Sequence, residues 1–403
     1  MSDTDRPTHT DRLAHKPLHI LHVFRAPLGG LFRHVCDLAE GQNKAGHKVG
    51  IICGEVQGDS LAAKRLAAIG AHCQLGVHTI EMNRLPGIGD AASIAKVMSC
   101  AMRARADVIH GHGAKGGAYA RLLPRVAGGV RLYTPHGGSL HFDRRSMAGF
   151  TFLTAERLMR RLTDAFIFES DFGLRTFTKK IGEPSTLSAV IHNGVTEAEF
   201  VPVEPASNAA DFVFIGELRE LKGIGTLIDA VTLAGHKMHL RIVGSGAERE
   251  IFEAQAATVP PSVKIEFMGS MAARDAFALG RVVVVPSYHE SLPYIVLEAA
   301  AAGMPVIATR VGGMAEIFGP DSCTLLNPRD IGGLADRMRH ALHHPDEMKA
   351  LADRLRSRVR SEFSSAQMVD GVNALYRRLI EKRGQRAVAQ LDDATSGVEG
   401  VPS

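Results

Sequence analysis

The stretch from Val282 to Glu316, VVVVPSYHESLPYIVLEAAAAGMPVIATRVGGMAE, constrains the fold more than any other part of the chain. Four valines in a row suit a parallel strand buried on both faces. Pro286 ends it, because proline cannot donate to a ladder. A polar loop from Ser287 to Ser291 follows, then Leu292-Pro293 and an alanine-rich helix to Ala302. Pro293 suits the first turn of that helix and Gly303 the position just past its end. A second buried strand, Pro305 to Thr309, leads to Gly312-Gly313. Strand, loop, helix and strand in this order make the repeating unit of a doubly wound α/β domain, where ligands bind beyond the carboxyl ends of the strands.

Two carboxylates occupy that position. Glu290 lies in the loop and Glu298 stands eight residues on, in the second turn of the helix. The helix N-terminus between them offers free N–H groups and a partial positive charge, which suits phosphate. Carboxylates flanking a phosphate site are better suited to accept hydrogen bonds from hydroxyls, such as those of a sugar and a ribose. Two glutamates at this spacing also arise by chance.

PSYHESLPYIVLEAAAAGMPVIATRVGGMAE resembles the E-x7-E segment of glycosyltransferase family 4, whose fold is GT-B: two facing Rossmann-like doubly wound domains with a cleft between them. The family commonly has Gly where Ser291 stands and an aromatic-Gly pair near Leu292-Pro293, so the loop expected to meet the donor phosphates departs from the pattern. The resemblance covers about residues 18–380.

The rest of the chain agrees with an α/β protein of two domains. Its 403 residues, 45% hydrophobic, suffice for two cores. A net charge of +4 is too small to imply nucleic acid. No 18-residue apolar run appears, so no transmembrane helix is expected, and the polar first residues are not expected to act as a signal peptide. The five cysteines are scattered and lack C-x-x-C spacing, as in reduced thiols of a cytoplasmic protein. The expected boundaries are a disordered 1–16, an acceptor domain over 17–195, a donor domain over 196–383 whose last helix crosses back to the first domain in this architecture, and a disordered tail over 384–403.

In the first half, Leu18–Phe24 reads as a strand, followed by APLGG and a helix from Leu31 to Ala45. A glycine pair between strand and helix bares N–H groups for an anion, though a plain turn has the same look. APLGGLFRHVCDLAEGQNKAGHKV is similar to the opening of the family, and Gly30 carries over as a donor-facing residue. Val49–Cys53 is the second strand and Cys73–Val77 a weak third. Asp107–His110 is a strand, with His110-Gly111-His112-Gly113 as a cleft-lining loop and a helix from about Lys115 to Ala127. The H-x-H pair has no carboxylate or third histidine at matching spacing, so no metal is expected. After a strand at Leu132–Thr134, His136 corresponds by resemblance to the cleft histidine near the transferred sugar, donating a hydrogen bond from its side chain or touching a donor hydroxyl, without acting as general base. His141 is a weaker candidate.

Residues 144–163, RRSMAGFTFLTAERLMRRLT, predict a basic amphipathic helix. Such a helix is usually an ordinary surface element; its functional reading is a peripheral contact with the inner face of a membrane, beside a lipid-linked acceptor. Asp164–Glu169 and Ala189–Ile191 are further strands, and His192–Val195 resembles the family hinge.

In the second half, Phe212–Ile215 leads into GELRELKGIGTLIDA, similar to the diphosphate motif G-R-x-x-x-x-K-G. Lys222 and Gly223 match. Glu217 stands in the place of the arginine, with Arg219 two residues on as its substitute. A lysine and an arginine here meet phosphate as a point charge and as a fork. Gly244 and Gly246, after the strand His239–Val243, correspond to a turn near the nucleotide base, and a second such turn follows Lys264–Met268. The resemblance then implies that Glu290 holds sugar hydroxyls, that Ser291, Leu292 and Pro293 frame the phosphate site, and that Glu298 holds the ribose. Glu316 reads as structural. A helix over about 366–382 closes the fold.

The implied activity is that of a retaining, metal-independent glycosyltransferase that needs no cofactor. It takes a nucleotide-diphosphate sugar to a saccharide or lipid-linked saccharide acceptor in cell-surface polysaccharide or lipopolysaccharide synthesis, with His136, Glu290 and Lys222 as catalytic residues. An epimerase on the same scaffold and a non-catalytic nucleotide-sugar-binding protein are the competing readings.

Overall fold

The computed structural model describes residues 16–56, 60–124, 129–141, 146–235 and 237–396. The chain divides into two compact units. The first takes the residues up to Phe168, Phe177–Ile191 and those from Val369 on; the second takes Glu169–Thr176 and His192–Met368.

In the first unit, strands and helices alternate: β1 (His19–Phe24), α1 (Gly29–Lys44), β2 (Lys48–Cys53), α2 (Leu61–Gly70), β3 (Val77–Thr79), α3 (Gly89–Ala104), β4 (Val108–His112), α4 (Gly113–Leu122), β5 (Val130–Thr134), α5 (Met147–Met159), β6 (Ala165–Phe168), α6 (Asp171–Lys180), which groups with this unit from Phe177 on, and β7 (Leu187–Val190). The sheet order is β3-β2-β1-β4-β5-β6-β7 and the pairings are parallel. Chain direction across the sheet reverses between β1 and β4, which makes their carboxyl ends the switch point of this unit. Buried on both faces, β1 and β4 read as apolar runs, and the histidines that interrupt them are buried too: His22, His110 and His112.

Three expectations shift here. The third strand is Val77–Thr79 rather than Cys73–Val77, because Cys73–Gly76 forms a turn that closes on itself, Gly76 N–H donating to the Cys73 carbonyl. The H-x-H pair is inside β4 rather than in a loop after it, and α4 starts at Gly113. Gly111 makes this possible: a Cβ there would press 2.6 Å from the Gly116 carbonyl, so only glycine lets α4 lie so close to the strand. The basic helix is shorter than 144–163, with Arg144 and Arg145 outside the described residues. Two of its arginines serve the unit itself, Arg157 donating to the Lys180 carbonyl and Arg160 to that of Glu183. Its exposed apolar residues are Met147, Phe150 at 66% and Leu158 at 72%.

The second unit contains β8 (Ala210–Ile215), α7 (Ile224–Ala234), β9 (Met238–Val243), α8 (Arg249–Ala256), β10 (Val263–Gly269), α9 (Ala273–Phe277), β11 (Gly280–Val285), α10 (Tyr294–Ala301), β12 (Val306–Ala308), α11 (Met314–Phe318), α12 (Ile331–His343) and α13 (Pro345–Glu362). Its parallel sheet runs β10-β9-β8-β11-β12, with the switch point between β8 and β11. Val283 and Val285 face one hydrophobic cluster, with Val296, Leu297 and Ile317, and Val282 and Val284 the other, with Ile228, Leu240 and Leu334. That is why the valine run does not alternate with polar residues.

The last helix, α14 (Ser365–Ser396), groups with the first unit from Val369 onward. Val369 packs where a Cβ on Gly41 of α1 would clash, and the Tyr376 hydroxyl meets His110 at 2.7 Å. The expectation of disorder from residue 384 is corrected: the helix continues to Ser396, its Ala, Gln, Arg and Leu residues being good helix formers. Residues 1–15 and 397–403, the rest of the expected disorder, lie outside the described residues. Among the described residues no helix is long and apolar enough to cross a membrane. The cysteines are free thiols, Cys323 exposed and the other four buried.

Candidate functional site

In the second unit the switch point brings two loops together. The loop after β8 carries Glu217 to Gly223, and the loop after β11 carries Ser287 to Pro293. They are joined by backbone: Tyr288 N–H donates to the Leu221 carbonyl at 2.8 Å. Gly223 has φ 72°, and a Cβ on it would run into the Pro286 carbonyl. Both the left-handed conformation and the approach therefore require glycine. The Tyr288 hydroxyl lies 2.6 Å from Thr226 Oγ1 of α7, and the Arg329 guanidinium covers the Tyr288 ring at 4.0 Å.

This scaffold sets Lys222 Nζ 2.6 Å from Glu290 Oε1, across 68 residues of sequence. Ser287 Oγ donates to the same carboxylate oxygen at 2.7 Å. Ser287 is held in turn, because Thr309 Oγ1 donates to its carbonyl at 2.6 Å. The ammonium and carboxylate keep 28% and 10% of their side-chain surface exposed. A cation and a carboxylate thus sit side by side where α/β sheets bind ligands.

The residues that follow are firmly anchored. Ser291 Oγ donates to Glu169 at 3.0 Å, its carbonyl accepts from Gly313 N–H at 2.6 Å, and the Leu292 carbonyl accepts from Asn193 at 2.9 Å. Pro293 is the residue before the first turn of α10, not within it, and has no N–H to offer. Glu298 is half-buried in the helix. Arg219, the expected substitute for the missing arginine, instead reaches back to Glu217 at 3.5 Å, both side chains exposed. Gly244 and Gly246 carry a packing role. A Cβ on either would strike the loop after β8, at the carbonyls of Gly216 and Leu218. Glu316 accepts from the Asp171 and Phe172 amides at 2.9 and 2.8 Å and from His192 at 3.2 Å. Burial alone would raise its pKa, but these donors outweigh it and hold the carboxyl below the usual range. This is a helix-capping, structural position, as the sequence suggests.

In the first unit, Gly30 is exposed in the first turn of α1, after Gly29 with φ 63°. The carboxyl ends of β1, β4 and β5 carry histidines that sequence spacing does not connect. Parallel register places His22 beside His110 and His112 beside Thr134. His22 Nδ1 is 2.9 Å from His112 Nε2, and His112 Nδ1 is 3.0 Å from His136 Nε2. His34 of α1 sets its ring edge-on to His136, with 4.8 Å between centroids. His136 has φ 51°, a left-handed conformation uncommon outside glycine and often found at functional sites. Of the residues gathered here, His22 with its partner Gln42, and His34, escape a reading based on motifs. For His22 the signal in the sequence is a histidine set within the apolar strand LHILHVF; His34 and Gln42 have none. The His141 side chain is outside the described residues.

Burial lowers His22 to about 4 against the raising effect of Gln42, and it pushes His110 and His112 well below the ordinary histidine value, helped by the neighbouring rings. The unfolded chain takes up these protons near pH ~6.5, and the folded chain does not. The resulting stability is complete above that pH and is lost as pH falls toward 4. For His22 alone the loss across the window is about 3 kcal/mol. Urea melts that follow the first unit at pH 7 and at pH 4.5 should show a lower midpoint in acid; equal midpoints would mean that the folded rings accept protons freely.

Comparison with known proteins adds the following. A family model described as Glycosyltransferase Family 4 matches residues 28–199, and one described as Glycosyl transferases group 1 matches residues 209–344. Glycogen synthase of Mycobacterium tuberculosis is 29% identical over 207 residues, 49% of this chain and 49% of that protein. The chain thus spans about half the length of this relative. A putative glycosyltransferase of Bacillus subtilis, EpsD, is 29% identical over 295 residues, 67% of this chain and 76% of that protein. The structure of Anabaena HepE in complex with UDP-glucose matches with a TM-score of 0.73 at 19% identity, over 88% of this chain and 98% of that one, a likeness of fold.

Proposed function

We propose that this chain, which belongs to the family 4 and group 1 glycosyltransferases with the GT-B fold, moves a sugar from a nucleotide-diphosphate sugar to a saccharide or lipid-linked saccharide acceptor. The observation that carries this reading is the Lys222–Glu290 pair at the switch point of the second unit. The lysine is the cation for a leaving diphosphate, and the carboxylate is the acceptor for sugar hydroxyls. A diphosphate brings more negative charge to Lys222 than one carboxylate does, so donor binding releases Glu290 to the sugar. The N-terminus of α10 adds its dipole to the phosphate side. Positive protein groups then do the work that a metal does in other transferases. Retention of configuration, with the leaving phosphate assisting the acceptor hydroxyl, belongs to the same reading. Arg219, which faces Glu217, has the weaker claim on the phosphates.

The UDP-glucose in the HepE structure makes UDP the first nucleotide to try. The exposed apolar residues of α5, Met147, Phe150 and Leu158, support a lipid-linked acceptor at a membrane surface. Transfer assays with the acceptor free and in vesicles separate that acceptor from a free saccharide.

The direct test is a thermal melt with UDP, GDP or ADP at about 100 times Kd, which adds about 2.7 kcal/mol. At roughly 2–4 °C per kcal/mol the midpoint should rise by about 5–10 °C for one nucleotide. That nucleotide's sugar conjugates then form the donor screen. No rise with any of them, together with no release of nucleotide from any sugar conjugate, would overturn the reading.

A further inference from the structure

Four side chains of the first unit form one hydrogen-bonded line. Gln42 Oε1 is 2.8 Å from His22 Nε2, His22 Nδ1 is 2.9 Å from His112 Nε2, and His112 Nδ1 is 3.0 Å from His136 Nε2. Gln42, His22 and His112 are fully or almost fully buried. Each contact needs one donor and one acceptor, and a neutral imidazole has one of each. A carbonyl oxygen can only accept. The order of protons then follows from the Gln42 end: His22 bears its proton on Nε2, which leaves its Nδ1 to accept from His112 Nε2–H, which leaves His112 Nδ1 to accept from His136 Nε2–H.

We propose that Gln42, His22 and His112 are positioning residues that hold His136 as the Nε2–H tautomer, so that its Nδ1 is the nitrogen with which the ring accepts a hydrogen bond from a sugar hydroxyl of the donor. This inference rests on the reading of His136 as the histidine near the transferred sugar. It goes further by assigning the direction of that hydrogen bond and the residues that set it.

Three observations support it. The burial that keeps His22 and His112 neutral keeps each ring at one proton, without which the order would be lost. His110 closes the line from the side: its ring lies 3.9 Å from that of His112, centroid to centroid, while its own nitrogens are taken by the Tyr376 hydroxyl at 2.7 Å and Thr134 Oγ1 at 2.8 Å. His136 itself has a left-handed backbone, φ 51°, a conformation that clusters at functional sites.

The same histidines fall into two triads whose nitrogens lie within 4.8 Å of one another, His22 with His110 and His112, and His34 with His112 and His136. Nitrogens that share a tetrahedral zinc ion at 2.0–2.1 Å stand about 3.3 Å apart. Contacts of 2.9 and 3.0 Å are hydrogen-bond distances.

The test uses the full chain with histidine labelled in nitrogen-15, read by two-bond proton–nitrogen correlation spectra at pH 7.5, which report the tautomer of each ring. His22, His112 and His136 should all appear as Nε2–H imidazoles, each assigned by the signal lost in its His→Gln variant. An Nδ1–H or charged His112 or His136 in the unaltered protein would overturn the proposal without any variant, as would a shift of these signals on adding one equivalent of zinc. Gln42→Met, which removes the terminal acceptor, should mix the His136 tautomers and lower kcat by roughly 10–100-fold, with KM for the donor within about twofold. An unchanged His136 tautomer and kcat in Gln42→Met would sink the line. The reading of the site fails differently: His136→Ala would then transfer sugar normally, while the tautomers of the unaltered protein stay as assigned.

Discussion

Lys222→Met and Glu290→Ala should each lower kcat by roughly 10²–10³, the usual cost of removing one charge-stabilising group at a reacting centre. In the free protein the two side chains hold each other at 2.6 Å, and Ser287 steadies the carboxylate. On the proposed function, the negative charge that grows on the departing diphosphate falls beside the Lys222 ammonium. Losing Lys222 removes that stabilisation where it counts, in the transition state. Losing Glu290 frees the sugar hydroxyls and leaves the lysine without its resting partner. The fold should survive both changes, because a partly exposed ion pair contributes only about 0–1 kcal/mol. Steady-state kinetics with the sugar nucleotide identified by thermal shift, beside a melt of each variant, check this. If both variants melt like the unaltered chain and also turn over like it, the site is elsewhere.

The largest effect on stability should come from Glu156→Ala, about 3–5 kcal/mol. Arg121 has a fully buried side chain, and its Nη1 lies 2.7 Å from Glu156 Oε2. Tyr133 OH donates to the other carboxylate oxygen at 2.8 Å, and Arg121 Nε donates to the Gly117 carbonyl at 2.9 Å. The guanidinium also covers the Tyr133 ring at 3.8 Å. The ring itself lies where a Cβ on Gly117 would stand, so α4, α5 and β5 meet at this one cluster. Removing the carboxylate leaves a buried guanidinium with no carboxylate partner among the described residues. Replacing both partners, Arg121→Met with Glu156→Leu, should recover much of the loss, since it also removes the cost of burying charge. Urea melts of the two single variants and the double variant close the cycle. A loss below about 1 kcal/mol for Glu156→Ala would mean that water reaches Arg121.

Much of the second unit could be read from local sequence. The valine run, Pro286, Pro293 and Gly303 each act within a few residues, through ladder donors, missing N–H groups and left-handed backbone. The capping position of Glu316 agrees with its structural reading. Errors arose where a strand holds residues that hydrophobic patterning does not expect. His110 and His112 belong to β4 because Tyr376, Thr134, His22 and His136 satisfy them from distant parts of the chain. Beyond residue 384 the residues of the last helix favour helix without an apolar stripe to mark it in the sequence.

From its sequence alone, this chain is a pair of doubly wound α/β units with strand-end loops rich in glycine, histidine and charge, and its motifs resemble one transferase family. Tertiary structure decided which of those charges meet. Lys222 finds Glu290, and Arg219 turns to Glu217. Gln42, His22, His112 and His136 become one line. The reason is physical: backbone signals act over one turn or one strand, but side-chain partners are set by strand order and register, which join residues far apart in the chain, His22 and His112 across 90 positions.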